Sequence, residues 1–352
     1  MEVGEPDFAT PSAVIEAGVI ALRHGHTHYT PATGLMELRQ SIAGLYRNKY
    51  DIDVSAQRVI VTPGASGALQ LILGVLINPG DEVLLADPGY PCNRHFVRLY
   101  EGETVSLPVD ATTGYQLTAD MIEKNWTDRT RAVLCASPSN PTGTILERSE
   151  LANIISVVQS HGGRLIVDEI YHGLLYDTVA TSALELSEDI FVINSFSKYY
   201  GMTGWRTGWL VAPEPYIEAI DRLAQNIFLA ASTPGQYAAI AALLPENNAV
   251  FEQRREAFLH RRDFLLPALR DLGFDIPLVP QGAFYLYADS SRFTDDSFAF
   301  CHDVLEKAGV AITPGRDFGD FRAESHVRFA YTTSIEQLQE GVQRLQHYLS
   351  GR

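Results

Sequence analysis

The sequence predicts an α/β protein with a large domain, whose mostly parallel β-sheet is covered by helices, and a smaller α+β domain. In the middle of the chain, short β-rich runs alternate with stretches of helical periodicity, the pattern of parallel strands joined by crossover helices. The last third changes to one long amphipathic helix and a few short strands. The chain has 352 residues, more than a single hydrophobic core usually supports, so two domains are expected.

The β-rich runs of the large domain are short and apolar, as buried parallel strands are. They occupy residues 82–86, 104–109, 131–136, 164–171, 189–196 and 208–213. Helical periodicities occur among them at 66–77 and 147–162. Ligands of such sheets bind beyond the carboxyl ends of the strands, so the residues directly after these runs are the candidates for a site.

A smaller α+β domain is predicted over residues 246–352. The run 247–273 has the period of one long amphipathic helix that ends at Gly273. It is followed by the strand-like "GAFYLYAD", a helix near 295–308, short strands at "VAITP" and "HVRFAY", and a final helix from Ser334. We assign residues 29–245 to the large domain and residues 1–28 to an N-terminal segment that joins the small domain.

Composition argues against several classes of function. The net charge is −16, from 27 basic and 43 acidic residues, which argues against nucleic acid or an anionic membrane as the main partner. No apolar run reaches the length of a membrane span, and the start lacks the pattern of a secretory signal. The cysteines Cys92, Cys135 and Cys301 form no CxxC pair, so no disulfide scaffold is expected and a reducing cytoplasm fits.

The segment "INSFSKYYGMTGWRTGW" (193–209) places Lys198 directly after a buried strand. A lysine buried there has a lowered pKa and can attack a carbonyl carbon. Ser195, Ser197 and Arg206 add hydroxyl and guanidinium donors nearby, and such donors suit a phosphate dianion. A nucleophilic lysine beside a phosphate clamp suggests pyridoxal 5′-phosphate as the cofactor, and a basic polar loop is the alternative interpretation.

An anion-binding turn is indicated by "VTPGASGALQ" (61–70), where an apolar strand ends in a glycine-rich turn. The amides of Ala65, Ser66 and Gly67 would open a helix and point at an anion. The segment matches neither a Walker loop nor GxGxxG, and an ordinary turn is the alternative.

The segment "LIVDEIYHG" (165–173) ends a predicted strand with Asp168. A buried carboxylate needs a cationic partner, and the protonated pyridine nitrogen of the cofactor is one. Tyr171 lies close behind in the sequence and can donate to the cofactor's phenolate oxygen. The alternatives are a capping aspartate, or Glu169 and His172 as metal ligands.

Two further segments follow predicted strands. In "SPSNPTG" (137–143), prolines hold Asn140 in a rigid turn that can present its amide to a ligand. In "PGYP" (88–91), the ring of Tyr90 can stack on a planar ligand. A simple connecting turn and an ordinary core tyrosine are the alternatives.

These segments belong to a longer ordered series. It reads "GEPDFATP", "YTPATGLMELR", "VTPGASGAL", "DPGYP", "SNPTG", "VDEIY", "SFSKYYGMTGWRTGW", "GAFY" and "VRFAY". Over nearly its whole length the chain thus resembles the class I/II aminotransferases, the fold-type I enzymes that use pyridoxal 5′-phosphate. The resemblance implies the fold-type I architecture and a ping-pong transfer of an amino group from an L-amino acid to a 2-oxo acid, with 2-oxoglutarate the expected acceptor.

The resemblance implies the cofactor contacts residue by residue. Lys198 resembles the Schiff-base lysine, which also moves the substrate proton, and Asp168 resembles the partner of the ring nitrogen. Tyr171 and Asn140 would contact the phenolate oxygen, and Tyr90 would stack on the ring. The phosphate would be held by Ala65, Ser66, Ser195, Ser197 and Arg206.

Substrate and dimer contacts follow in the same way. Arg328 in "VRFAY" resembles the arginine that binds the substrate α-carboxylate, assisted by Asn140 and by the backbone of Gly4. Tyr29 resembles a tyrosine that reaches the phosphate of the other subunit, which implies a homodimer with shared active sites. The alternating histidines of "RHGHTHY" (23–29) fall on the family's dimer-interface loop without a Cys or acidic ligand beside them, so no metal is expected.

The chain departs from the family pattern at two places. Ser137 stands where many relatives have an asparagine. Only residues 1–3 precede Gly4, where relatives carry a helix and an arm. Either the true start lies upstream or the arm is truncated, and a truncated arm would alter the dimer contacts and closure over the substrate.

Other reactions use the same lysine and the same ring. β-Elimination from a thioether and aminocyclopropane carboxylate synthesis are the nearest alternatives, and the sequence does not separate them from transamination. A transcription regulator of this family would need a winged helix before the domain. A pyridoxal-phosphate-binding protein without catalysis is disfavoured because Lys198 and Arg328 are both present. No second arginine stands out as the partner of a distal carboxylate, so the identity of the amino donor stays open.

Overall fold

The computed structural model describes residues 1–351, and within them seven strands form one sheet. In chain order these are β1 (Val59–Thr62), β2 (Glu82–Asp87), β3 (Glu103–Pro108), β4 (Thr130–Ala136), β5 (Arg164–Asp168), β6 (Phe191–Ser195) and β7 (Gly208–Val211). Their order across the sheet is β1-β7-β6-β5-β4-β2-β3. β7 runs antiparallel to both of its neighbours, and the other neighbouring pairs are parallel. The predicted mostly parallel sheet is confirmed.

Helices cover both faces of this sheet. They are α1 (Ser12–Arg23), α2 (Met36–Tyr50), α3 (Gly64–Leu76), α4 (Pro91–Leu99), α5 (Ala119–Asn125), α6 (Arg148–Ser160), α7 (Ile217–Ile227) and α8 (Thr233–Ala242). Side chains of α3, α4 and α7 pack on one face with Ile60 and Ile166, and those of α2, α5, α6 and α8 pack on the other with Val61 and Val167. Because successive strand residues point to opposite faces, a strand covered on both sides is apolar throughout.

A second, three-stranded antiparallel sheet lies near the end of the chain. It consists of β8 (Tyr285–Asp289), β9 (Thr313–Pro314) and β10 (His326–Ala330), with β10 in the middle. Three helices, α9 (Asn248–Leu272), α10 (Ser297–Ala308) and α11 (Ile335–Ser350), surround an apolar core that contains Phe258, Phe300 and Leu338. This is the predicted smaller α+β unit, whereas the domain boundaries after residues 28 and 245 stay predictions.

Local sequence signals set most element ends. The long helix predicted over 247–273 is present as α9, and Gly273 ends it with a φ of 101°, a left-handed conformation that glycine adopts without strain. The strand predicted to reach residue 171 is too long, because the Asp168 carboxylate accepts a hydrogen bond from the Ile170 amide at 3.0 Å and the chain turns there. The segment "VAITP" supplies only the two-residue β9.

The N-terminal segment lies beside β10. The Ala330 amide donates to the Met1 carbonyl at 2.8 Å, and the Asp7 amide donates to the Thr332 carbonyl at 3.1 Å. Among the helices of residues 1–351, none is both long enough and apolar enough to cross a membrane.

The carboxyl ends of β1, β2, β4, β5 and β6 meet at one edge of the large sheet. The chain after these strands carries Ser66, Tyr90, Asn140 and Lys198, and Asp168 is the last residue of β5. Ligands of such sheets bind at this edge, and the site described below lies there.

Candidate active site

A cavity of about 460 Å³ lies between this edge of the large sheet and the small sheet. Most of the predicted site residues line it: Gly4, Ala65, Ser66, Tyr90, Asn140, Asp168, Tyr171, Ser197, Lys198, Arg206 and Arg328. Residues that are far apart in the sequence thus converge on one space, as the shared edge of the parallel strands requires.

Lys198 projects into the cavity from the turn after β6. Its Nζ donates a hydrogen bond to the Gly4 carbonyl at 2.8 Å. Burial, together with the positive charges of Arg328 and Arg206, lowers the pKa of this amine from 10.5 to about 8, while Glu5 and Asp168 act in the opposite direction. A substantial fraction of the amine is therefore neutral in mildly alkaline solution, which a nucleophile or general base requires.

Asp168 ends β5, the strand next to β6, and its side chain is buried. Burial raises the pKa of its carboxyl from 3.8 to about 6, while the Ile170 amide and the charge of Lys198 act in the opposite direction. The negative charge of this buried carboxylate is only partly balanced by its neighbours, so the carboxylate favours a ligand group that carries a positive charge.

One end of the cavity collects donors that suit an anion. α3 begins at Gly64, so the amides of Ala65 and Ser66 lie at its N-terminus beside Ser197 and Arg206. Gly64 has a φ of 70°, and a Cβ at this position would lie 2.6 Å from Nη2 of Arg206. Glycine is therefore required for the guanidinium to approach the turn this closely.

Ser195 lies behind this set of donors. It does not line the cavity; its hydroxyl lies 2.9 Å from the Ser197 hydroxyl and 3.2 Å from the Thr207 carbonyl. The Ser197 amide also donates to Ser195 Oγ at 3.0 Å. Ser195 thus contacts Ser197 directly, and its predicted contact with the phosphate stays a prediction.

The other end of the cavity is formed by Arg328 on β10. Its Nη1 donates to Asn140 Oδ1 at 2.9 Å, and its Nη2 donates to the Glu2 carbonyl at 2.6 Å. The guanidinium carbon lies 4.3 Å from the ring centroid of Tyr285 and 4.8 Å from that of Phe318. The guanidinium thus contacts two aromatic rings and directs its donors at oxygen atoms, which suits a carboxylate.

Tyr171 lies between the two ends and is buried. Its hydroxyl is 3.0 Å from the Tyr285 hydroxyl. Burial raises the pKa of Tyr171 well above its usual value, so the phenol keeps its proton and can donate a hydrogen bond to a ligand oxygen. Tyr90 precedes α4 and presents its ring to the cavity, and burial also raises the pKa of its phenol.

Comparison with known proteins identifies this arrangement. Residues 1–345 match the sequence model of the family described as aminotransferase class I and II. The chain belongs to the class I and II aminotransferases. It is an enzyme of the transferase class, and the family resemblance of the sequence segments is confirmed.

Relatives of this aminotransferase match along nearly its whole length. A valine–pyruvate aminotransferase of Mycobacterium tuberculosis is 38% identical, with 99% of this chain and 90% of the relative covered. A (5-formylfuran-3-yl)methyl phosphate transaminase of Methanocaldococcus jannaschii is 35% identical, with 99% and 91% covered. The crystal structure of an aminotransferase from Mycobacterium tuberculosis superposes with a TM-score of 0.96 at 38% identity, with 99% of this chain and 91% of that chain covered. The fold-type I prediction is thereby confirmed.

Tyr29 lies away from the cavity of this aminotransferase. Its side chain is 82% exposed, and the structure of one chain does not bring it to the other site residues. In the same loop, the His26 ring stacks on Tyr237 with 4.5 Å between the centroids. Within residues 1–351 no group of three or more His, Cys, Asp or Glu side chains is arranged to hold a metal ion.

Glu169 and His172, the alternative metal ligands, belong to a buried network on the other side of β5. The Glu169 carboxylate accepts hydrogen bonds from the Ser182 hydroxyl at 3.1 Å and from the Ala183 amide at 2.8 Å. The Nδ1 atom of His172 lies 2.9 Å from the Tyr50 hydroxyl. These contacts hold the Glu169 carboxylate and Nδ1 of His172 within the protein interior.

Several cavity residues of the aminotransferase were not assigned from the sequence. The rings of Tyr285 and Phe318 contact Arg328, Thr313 accepts a hydrogen bond from Arg328 Nη2 at 3.2 Å, and Glu5 lines the cavity. Tyr285 ends the family segment "GAFY", and its place in that segment is the signal by which the sequence could have identified it as a cavity residue. Phe318 and Thr313 reach the cavity only through the packing of the small sheet.

Proposed function

We propose that this aminotransferase uses pyridoxal 5′-phosphate to transfer the amino group of an L-amino acid to 2-oxoglutarate in a ping-pong cycle. One observation carries the proposal. Lys198, with a pKa of about 8, and the buried Asp168 share a cavity whose two ends are a set of anion donors and the guanidinium of Arg328. A cofactor with a phosphate, a basic ring nitrogen and an aldehyde needs these groups together.

The residues fit this cofactor by the chemistry of their donors. The amides of Ala65 and Ser66, the Ser197 hydroxyl and Arg206 would hold the phosphate. Asp168 would pair with the ring nitrogen, which supplies the cationic partner that its buried carboxylate lacks. Tyr90 would stack on the face of the ring, and Asn140 and Tyr171 would contact the phenolate oxygen.

When bound, the cofactor supplies the carbonyl carbon that carries the amino group between substrates and an aromatic ring that accepts electrons from the substrate Cα. Arg328 binds the substrate α-carboxylate in a bidentate fork, with Asn140 and the backbone of Gly4 beside it. This holds the Cα hydrogen within reach of Lys198. The neutral amine of Lys198 would then take the proton from Cα and deliver it to the former carbonyl carbon of the cofactor, so that the amino group stays with the cofactor when the 2-oxo acid leaves.

Assembly as a homodimer with shared sites belongs to the same proposal. Tyr29 is 82% exposed, and Ile15, Ile20 and Leu22 of the adjacent α1 are apolar and exposed as well. A second copy covering this face would bury them and would bring Tyr29 to the partner's phosphate site. Location in the cytoplasm is proposed because the three cysteines of the described chain are free thiols.

The experiment that tests the function is a panel of amino donors with 2-oxoglutarate and added cofactor, in which glutamate and the new 2-oxo acid are both measured. Equal amounts of the two products are expected from at least one donor. Pyruvate and a thiol released from a thioether donor without any acceptor would instead identify a β C–S lyase. Absence of both reactions would contradict the proposal.

A further inference from the structure

The strand end before Tyr90 is fastened to the loop that carries Phe318. Asp87, the last residue of β2, accepts hydrogen bonds from the amide of Asp320 at 3.0 Å and from the amide of Phe321 at 3.3 Å. The Gly89 amide donates to the Phe318 carbonyl at 2.9 Å. We call these contacts, from Asp87 and Gly89 to residues 318–321, the strand-end clasp.

The clasp is built for close contact. A Cβ at Gly319 would lie 1.8 Å from Asp87 Oδ1, so only glycine lets the loop backbone reach the carboxylate. Arg94 adds a further bond, from Nη2 to the Asp317 carbonyl at 3.0 Å. Asp87 itself is 6% exposed, and a carboxylate buried to this degree costs free energy that the amide bonds only partly offset. A loop that only had to stay on the protein surface would not need a buried carboxylate to hold it.

The strand-end clasp holds one wall of the cavity, next to Arg328. Phe318 is buried, lines the cavity and packs with its ring centroid 4.8 Å from the guanidinium carbon of Arg328. Tyr90, three residues after Asp87 in the chain, lines the same cavity. The clasp therefore fixes the distance between the large-sheet wall of the cavity and the guanidinium, although Asp87 does not line that cavity.

We infer that Asp87 is a positioning residue for substrate binding: through the strand-end clasp it holds Phe318, and thereby Arg328, in the geometry that receives a carboxylate. The inference rests on the proposed role of Arg328 as the partner of the substrate α-carboxylate. Asp87 touches neither substrate nor cofactor in this account, and its own bonds end on the loop amides of Asp320 and Phe321. The Gly89–Phe318 bond next to Tyr90 does not involve the Asp87 side chain, so loss of that side chain is expected to change carboxylate binding far more than cofactor binding.

The test compares Asp87→Ala with Asp296→Ala in the full chain loaded with cofactor. Asp296 is a suitable control because its carboxylate also accepts two backbone amides, from Phe298 and Ala299 at 3.1 Å each, at the start of α10 and away from the cavity. Three quantities are measured: the Kd of hydrocinnamate, a carboxylate without an amino group, from the cofactor absorbance; KM and kcat for an active donor; and the Kd of pyridoxal 5′-phosphate.

Asp87→Ala is expected to raise the hydrocinnamate Kd and the donor KM by about tenfold or more, since small misplacements of a binding group have effects of this size. The cofactor Kd is expected to stay within about twofold of wild type, and Asp296→Ala is expected to leave all three quantities within about twofold. Asp87→Asn keeps one hydrogen-bond acceptor and the side-chain shape, so its hydrocinnamate Kd and donor KM should lie between those of wild type and Asp87→Ala. It replaces Asp87→Ala if that variant does not fold.

A double variant separates positioning through Arg328 from a general loss of stability. In an Arg328→Lys background, Asp87→Ala should change the hydrocinnamate Kd by less than about threefold, because coupled residues are not additive. Unchanged hydrocinnamate binding in Asp87→Ala, an equal loss in Asp296→Ala, or full additivity with Arg328→Lys would each overturn the inference. Failure of wild-type protein to transaminate would contradict the proposed function instead, and the hydrocinnamate titration would still decide the role of Asp87.

Discussion

Nη1 of Arg328 donates a 2.9 Å hydrogen bond to Oδ1 of Asn140, a residue 188 positions earlier in the chain. The bond joins β10 of the small sheet to the turn after β4 of the large sheet. In the proposed function, these two side chains receive the substrate α-carboxylate together.

Arg328→Lys should lower kcat/KM for every amino donor by a similar factor. Lysine keeps the positive charge but loses the bidentate fork, and every α-amino acid shares the α-carboxylate. Steady-state kinetics over the donor panel measure the effect, and the absorbance spectrum of the loaded enzyme without substrate should stay nearly the same.

The other outcomes for Arg328→Lys have distinct meanings. If kcat/KM were almost untouched for all donors, Arg328 would only be a structural group that ties β10 to Asn140 and to the Glu2 carbonyl. If only acidic donors lost activity, Arg328 would bind a distal carboxylate, and the α-carboxylate would need another partner.

Asp168→Asn should stabilise the cofactor-free protein above about pH 6. Burial raises the pKa of Asp168 from 3.8 to about 6, so the folded state binds a proton more tightly than the unfolded state does. Stability therefore falls as the pH rises from about 4 to about 6, by about 1–3 kcal/mol in total. The thermal unfolding midpoint of the variant should exceed that of wild type above about pH 6, and the difference should vanish below about pH 4.

The same Asp168 substitution should weaken the cofactor. A charge-assisted bond to the ring nitrogen is worth about 1.5–3 kcal/mol, and the loss of rate should be larger, because the ring then takes up electrons less well. Equilibrium titration with pyridoxal 5′-phosphate and the steady-state rate both report on this. An Asp168 variant with unchanged rate and unchanged cofactor affinity would exclude this residue from the site.

The pKa of Lys198 predicts how the cofactor-free protein takes up pyridoxal 5′-phosphate. Only the neutral amine attacks the aldehyde, and burial lowers the pKa of this amine from 10.5 to about 8. The rate of incorporation, followed by absorbance, should rise with pH and reach its midpoint near pH 8. A rate still climbing steeply near the usual lysine pKa would show that the amine is not the perturbed group described above.

Much of the site could be predicted because the sheet is parallel. The residues at the ends of β4, β5 and β6 must meet at one edge, so the places of Asn140, Asp168 and Lys198 at the ends of apolar runs predict that they lie close together. The glycine-rich turn at Ser66 is a weaker signal because many turns resemble it, and its assignment to the phosphate comes from the family resemblance.

The rest depends on contacts that the local sequence does not encode. Ser195 and Ser197 are equally polar, and only the packing at the end of β6 places Ser195 behind Ser197. The loop of residues 318–321 reaches Asp87 and Gly89 through the docking of the small sheet on the large one. The proposed partner of Tyr29 lies in a second copy of the chain, so neither the sequence pattern nor one chain's structure can bring it to the site.

Tyr29 provides a test of the shared-site homodimer. Tyr29→Ala alone should raise the cofactor Kd by about tenfold or more, the effect of losing a hydrogen bond to a charged phosphate. Refolded together with Lys198→Ala subunits, it should form mixed dimers with one complete site, made of Lys198 from one copy and Tyr29 from the other. At limiting cofactor the mixture should therefore exceed the summed activities of the separate variants, whereas strictly additive activity would contradict shared sites.

The most direct test of the central claim is the rate of glutamate formation by Lys198→Ala, with saturating cofactor, 2-oxoglutarate and the best donor. Alanine has no amine to hold the cofactor or to move the Cα proton, and general acid–base catalysis alone contributes about 10²–10⁴-fold. The account predicts a rate at the level of the reaction without enzyme, in a variant that folds and still binds the cofactor. Turnover close to that of wild type would contradict the assignment of Lys198 and, with it, the proposed mechanism.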